Sequence, residues 1–256
     1  MALVATADRP YGWKARVGMI TPTPAHENNA YEFYQMAPDG VTVVMTSLGV
    51  VLADREASYG QAIDRLEAAT EEIMSRKPMS IIQADVPLIA FQGWGFEAEI
   101  LGKIKKVTHT PAATDLGSCI LAMQKLGIKR PAMLTPFDPN THDKLTTYVA
   151  NAGLEVSGVK SVLDEMPGQQ LRGYEVSTMD LGSVLRIGTQ LAKDTPDADG
   201  IWITGALMPS VSTLEALEQA SGLPVVGSMQ AMAWQGLRLA GVNDQMQGFG
   251  RLLSEF

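Results

Sequence analysis

The residues able to bind or react stand where short apolar runs end. Met19-Ile20-Thr21-Pro22-Thr23 and Met133-Leu134-Thr135-Pro136-Phe137 each set hydroxyls and backbone N–H groups just past such a run. Ile81-Ile82-Gln83-Ala84-Asp85-Val86-Pro87 and Ile201-Trp202-Ile203-Thr204-Gly205-Ala206 repeat the pattern. Hydroxyls and free N–H groups at strand ends, where helices begin, suit a small carboxylate ligand. Thr and Pro are also ordinary turn formers after a strand, so the argument rests on their recurrence in both halves. Of the three histidines, His109 is expected at the carboxyl end of a strand, within reach of a cleft, and His142 in the first turns of a surface helix. No pair of histidines has metal-ligand spacing, so no metal is expected. No dinucleotide fingerprint, phosphate loop or nucleophile elbow is present, and no cofactor is expected. The single cysteine, Cys119, excludes an intramolecular disulfide and reads as a packed core thiol.

Strands alternating with helices must position these residues. Strands are expected at Arg16–Thr21, Val41–Ser47, Met79–Gln83, Pro131–Thr135, Glu155–Val162, Gly200–Thr204 and Pro224–Val226. Helices are expected over 58–74, 95–104, 140–152, 181–193, 211–220 and 229–239, with another starting at Pro111 and running to Leu126. Gly153 stands where a left-handed helix cap is wanted. Such alternation means parallel sheets built from βαβ units. The run from Met19 matches the run from Met133, 114 residues on, and Ile81 matches Ile201, 120 residues on. The agreement suggests a duplicated half of about 115 residues, with the strand ends of both halves facing one cleft.

Composition bounds the class. The 256 residues are 46% hydrophobic and 19% charged, which excludes a disordered or collagenous chain. No apolar run approaches the roughly 20 residues of a membrane span, and the first residues lack the pattern of a secretory signal. A net charge of −8 without a basic block argues against a nucleic-acid partner. The expectation is a cytoplasmic α/β protein with a small-molecule ligand and no membrane partner, its homo-oligomerisation left open.

The chain resembles the aspartate/glutamate racemase superfamily, specifically its arylmalonate decarboxylase and maleate isomerase branch. The resemblance runs through Val17-Gly18-Met19-Ile20-Thr21-Pro22, Leu126-Gly127-Ile128-Lys129-Arg130, Asp199-Gly200-Ile201 and Gly222-Leu223-Pro224-Val225-Val226. It continues through Trp234, Arg238-Leu239-Ala240-Gly241 and Gly248-Phe249-Gly250-Arg251-Leu252. It implies two pseudo-symmetric lobes of parallel sheet flanked by helices. Residues 1–108 plus 225–256 would form the first and 109–224 the second. A cofactor-free site between them would break or invert bonds at the α-carbon of a small acid, using one or two cysteines.

Here the chain departs from the pattern. The two cysteine positions fall on Asp85 and Gly205, the hydroxyls after the first fall on Val86 and Pro87, and a substrate-contacting tyrosine falls on Phe137. The resemblance therefore implies a cofactor-independent lyase or isomerase that moves a proton on a small polar carboxylate-type metabolite, with Asp85 replacing the cysteine as acid or base. His26, in a loop that lines the family pocket, is the second catalytic candidate. Thr21, Pro22, Thr23, Val86, Pro87, Thr135, Phe137, Thr204, Gly205 and Ala206 would line the substrate. The competing expectation is a ligand-binding or regulatory homologue without catalysis. An ionised Asp85 would repel a second carboxylate, so the ligand is expected not to be a simple dicarboxylate.

Overall fold

The structure, a computed structural model, describes residues 9–24, 27–51, 54–165 and 173–256. In chain order its first half holds β1 (Ala15–Thr21), α1 (Glu27–Met36), β2 (Val41–Ser47), α2 (Arg55–Met74), β3 (Ser80–Gln83), α3 (Val86–Gln92), α4 (Glu97–Val107), β4 (Ala112–Thr114) and α5 (Asp115–Lys125). The second holds β5 (Pro131–Thr135), α6 (Pro139–Asn151), β6 (Gly158–Ser161), α7 (Gly173–Ser177), α8 (Leu181–Asp194), β7 (Gly200–Ile203), α9 (Leu214–Ser221), β8 (Val225–Gly227), α10 (Ser228–Leu239) and α11 (Arg251–Glu255). Two four-stranded parallel sheets result, in the orders β2-β1-β3-β4 and β6-β5-β7-β8. Among the described residues no helix is long and apolar enough to cross a membrane.

The duplication is written into the hydrogen-bond register. Ile20 pairs with Gln83, and Leu134 pairs with Ile203 at offsets of 114 and 120 residues. The amides closing the two central strands follow suit, Ala84 N–H donating to Ile20 and Thr204 N–H to Leu134. Side chains alternate across the second sheet as the two-residue period of a strand requires. Met133, Trp202 and Val226 join the core beneath the first sheet, whereas Ala132, Leu134, Ile201, Ile203 and Val225 form a second core with α8 and α9.

The helices after the last strands cross over. α5 leaves β4 and packs on β7, β8 and α10; α10 leaves β8 and packs on β1, β3 and β4. Thus β4 belongs to the first sheet and β8 to the second, so the sheets end a few residues beyond the expected divisions at 108/109 and 224/225. Pro111 likewise precedes a strand and not a helix. Its carbonyl accepts the Ile81 amide, and the helix starts at Asp115, where the Thr114 hydroxyl accepts the Gly117 N–H at 3.0 Å. The expected strand at 155–162 shortens to β6, while α1, α3, β4, α7 and α11 were not expected from periodicity.

Two side chains of α1 clamp the halves together. Asn28 donates to the carbonyls of Ala206 and Leu207, and the buried Glu32 carboxylate accepts the Ser210 and Val211 amides at 2.7 and 2.9 Å. Burial raises Glu32 from 4.5 to about 7 against those two hydrogen bonds. A carboxyl that holds its proton more tightly folded than unfolded contributes stability that falls as pH rises through this interval. Glu32→Gln is therefore expected to flatten the decline in stability between pH 4.5 and 7, followed by urea unfolding at stepped pH. A slope equal to that of the unsubstituted chain would contradict this account.

Candidate active site

Both central strands end in the same unusual backbone. Asp85, two residues past β3, has φ +107°, and Gly205, two residues past β7, has φ +90°. For an aspartate this conformation costs about 1–3 kcal/mol and persists only where its surroundings enforce it. The enforcing group is Asp115, the first residue of α5, whose carboxyl accepts the Asp85 backbone N–H. It also receives the Cys119 thiol at 3.5 Å and the Ser228 hydroxyl. Ser228, the first residue of α10, in turn accepts the Gly205 N–H at 3.1 Å. One chain of hydrogen bonds thereby joins the two turns.

The Asp85 side chain is buried, and its Oδ2 has no hydrogen-bond partner among the described residues. Burial raises its pKa, opposed by the Arg55 guanidinium and the Leu88 amide of α3. Arg55, in the first turn of α2, lies over the Phe137 ring with its guanidinium carbon 5.4 Å from the centroid. Tyr59, one turn further on, is buried with its hydroxyl also unpartnered among the described residues. Its pKa is raised by burial first and by the nearby Asp85 second. Asp115 is raised to about 7, burial outweighing its three hydrogen bonds, with the Asp85 charge adding to the rise.

The second turn is tight around the position of a side chain. A Cβ on Gly205 would sit 3.0 Å from Pro136 Cγ and 3.1 Å from Phe137 Cζ. Glycine is favoured there by both conformation and space.

The expected lining residues divide into two groups. Asp85, Phe137 and Gly205 converge on the hydrogen-bond chain and on Arg55. The Thr21 hydroxyl is instead committed to the Thr23 and Thr46 carbonyls, and the Thr135 hydroxyl accepts the Phe137 N–H. Pro22 and Thr23 are buried beside β1, with the Pro22 carbonyl accepting the Val50 amide. Val86 and Pro87 are buried in the first turn of α3, where a missing proline N–H is harmless. Thr204 is buried in its strand end, and Ala206 is held by Asn28. His26 lies outside the described residues. His109 follows α4 and precedes β4, so it is exposed at the amino ends of the strands, opposite to its expected position. His142 is half-buried in α6 beside the Phe137 carbonyl, and burial lowers its pKa. Arg55, Tyr59, Asp115 and Ser228 escaped the sequence reading. Asp115 alone had a visible signal, the Thr-Asp pair of a helix start.

A profile of the arylmalonate decarboxylase family matches residues 17–253. The chain belongs to the arylmalonate decarboxylase family. It is 23% identical over 241 residues to the arylmalonate decarboxylase of Bordetella bronchiseptica, covering 93% of this chain and 96% of that protein. A crystal structure of arylmalonate decarboxylase superposes with a TM-score of 0.82 at 21% identity, over 94% of this chain and all of that one. The maleate cis-trans isomerase of Nocardia farcinica, solved with a covalently bound succinylcysteine intermediate, gives 0.81 at 20% identity over 94% and 99%. The expected α/β fold of two parallel-sheet lobes and the expected branch are thus both found. The only cysteine of this chain lies inside a helix, fully buried, its thiol raised well above the ordinary value by burial.

Two outcomes follow from this geometry. Gly205→Ala is expected to destabilise the fold by about 1–2 kcal/mol, read as a lower urea midpoint. An unchanged midpoint would show that the turn tolerates a side chain. Native protein should resist iodoacetamide at Cys119 and be labelled once unfolded. Rapid labelling of the folded protein would mean that the thiol is accessible and ionised.

Proposed function

We propose that this family member is an enzyme moving a proton on a small polar carboxylate-type metabolite, with Asp85 as the reacting acid or base in place of a thiol. The observation that supports this reading most is a buried carboxyl with a free oxygen at a strained strand end, facing a guanidinium. Strain and a displaced carboxyl pKa at one position are how general acids and bases are built. Arg55 would receive the ligand's carboxylate, and Phe137 would supply an apolar wall beneath it. His26 remains the second candidate for proton transfer. The chemistry proposed requires no metal or cofactor, and its partner is a small molecule.

Burial changes the reasoning about ligand charge. The repulsion expected from an ionised Asp85 assumes a pocket open to solvent, whereas Asp85 is enclosed and its neutral form favoured. A second carboxylate is disfavoured for another reason: Val86, Pro87, Phe137 and Gly205 offer no polar side chain to receive it, which leaves the Thr204 hydroxyl, unpartnered among the described residues, as the donor at that strand end. We therefore propose a ligand with one carboxylate. The absence of a side chain at Gly205 also removes the second acid of a two-base racemase, and it is the feature that most favours the competing reading of a binding protein without turnover.

Asp85→Asn is nearly isosteric and should abolish turnover, by about a hundredfold or more, while ligand binding survives. Turnover and thermal shift measured on maleate, a malonate, an amino acid and a cyclic amide would test it. Efficient conversion of maleate, unaffected by Asp85→Asn, would refute both the role of Asp85 and the single-carboxylate ligand.

A further inference from the structure

The buried group that the proposed chemistry leaves unused is Asp115. Its carboxyl faces three donors: the Asp85 N–H, the Cys119 thiol and the Ser228 hydroxyl. The Asp85 carboxyl, buried beside it, leaves Oδ2 without any partner among the described residues. Two adjacent buried carboxyls cannot both ionise, so the pair holds one proton across a range of pH and titrates as a unit. Hydrogen-bond donors stabilise a charged carboxylate, and a carboxyl short of them keeps its proton.

We propose that Asp115 is a positioning residue that carries the negative charge of the pair and leaves the proton on Asp85. The inference rests on the reading of Asp85 as the reacting group. It makes Asp85 a proton donor in the resting protein. A proton passes from its carboxyl oxygen to the ligand, the electron pair stays on Asp85, and a solvent proton restores the pair. The groups facing the pair are few. Arg55 from α2 and the Leu88 amide from α3 favour the ionised form of Asp85, Tyr59 from α2 adds an uncharged hydroxyl, and Cys119 from α5 remains a thiol. From α10 comes only the hydroxyl of Ser228, and on α5's other side Thr114 takes up Glu97 at 2.6 Å.

Asp115→Asn keeps an acceptor for the Asp85 N–H but removes the like charge. Infrared spectra of the intact chain, titrated with pH, read protonated carboxyls directly, and subtraction of the Asp85→Asn spectrum isolates Asp85 from Glu32. We expect a protonated Asp85 signal at pH 7 that, in Asp115→Asn, titrates away about one pH unit or more lower. Ser228→Ala serves where Asp115→Asn does not fold. It removes one donor from Asp115, so the Asp85 signal at pH 7 should weaken. No protonated Asp85 signal in the unsubstituted chain, an unmoved titration in Asp115→Asn, or an unchanged signal in Ser228→Ala would overturn the proposal. The readout needs no turnover, so an inactive protein with the predicted titration refutes the enzymatic reading alone.

Discussion

A hydrogen-bonded path through two helix starts holds the site in place. It runs from the Asp85 amide to the Asp115 carboxyl, on to the Ser228 hydroxyl, and ends at the Gly205 amide. Each end is a backbone turn that a strand leading into a helix does not ordinarily adopt. In isolation neither turn would persist, because an aspartate at positive φ is strained and a buried amide without an acceptor costs about 1–3 kcal/mol. Each is satisfied by the first residue of α5 or α10, and the Ser228–Asp115 hydrogen bond joins the two halves. That is why α5 and α10 cross between the sheets: their first residues must meet between the two strand ends.

This arrangement concentrates carboxyls where water is excluded. Glu32, Asp85 and Asp115 are all buried and all displaced upward, whereas the exposed Glu67, Glu72 and Asp180 are displaced downward by their hydrogen-bond partners. The buried three oppose folding in their charged forms and confer reactivity or order only through the donors around them. Glu32 commits its Oε1 to the Ser210 and Val211 amides and so ties α1 to the far half. Asp85, like Glu32, keeps one oxygen uncommitted among the described residues, and differs in having a guanidinium near it.

The same framework in a related isomerase carries a covalent succinylcysteine. Here the second strand end carries glycine, crowded by Pro136 and Phe137, and the first carries a carboxyl. A shared α/β scaffold thus does not by itself fix the chemistry, which is the usual relation between a fold and its functions.

The sequence by itself determined the parallel α/β architecture, most of its strands and the duplication. Apolar strands such as 131–135 and 200–203 have a two-residue alternation that depends on nothing distant, and the repeat offsets of 114 and 120 reappear as strand register. Local signals failed at β4, three residues long and hidden behind Pro111, and that error carried His109 to the wrong end of the sheet. Only the tertiary structure decided which polar residues meet. Arg55, Asp115 and Ser228 lie far apart in the chain on three helices, and a charge at a helix start reads the same whether it faces water or a buried carboxyl. Burial and hydrogen-bond partners, which set the protonation of Asp85, are properties of the packed halves and of no single segment.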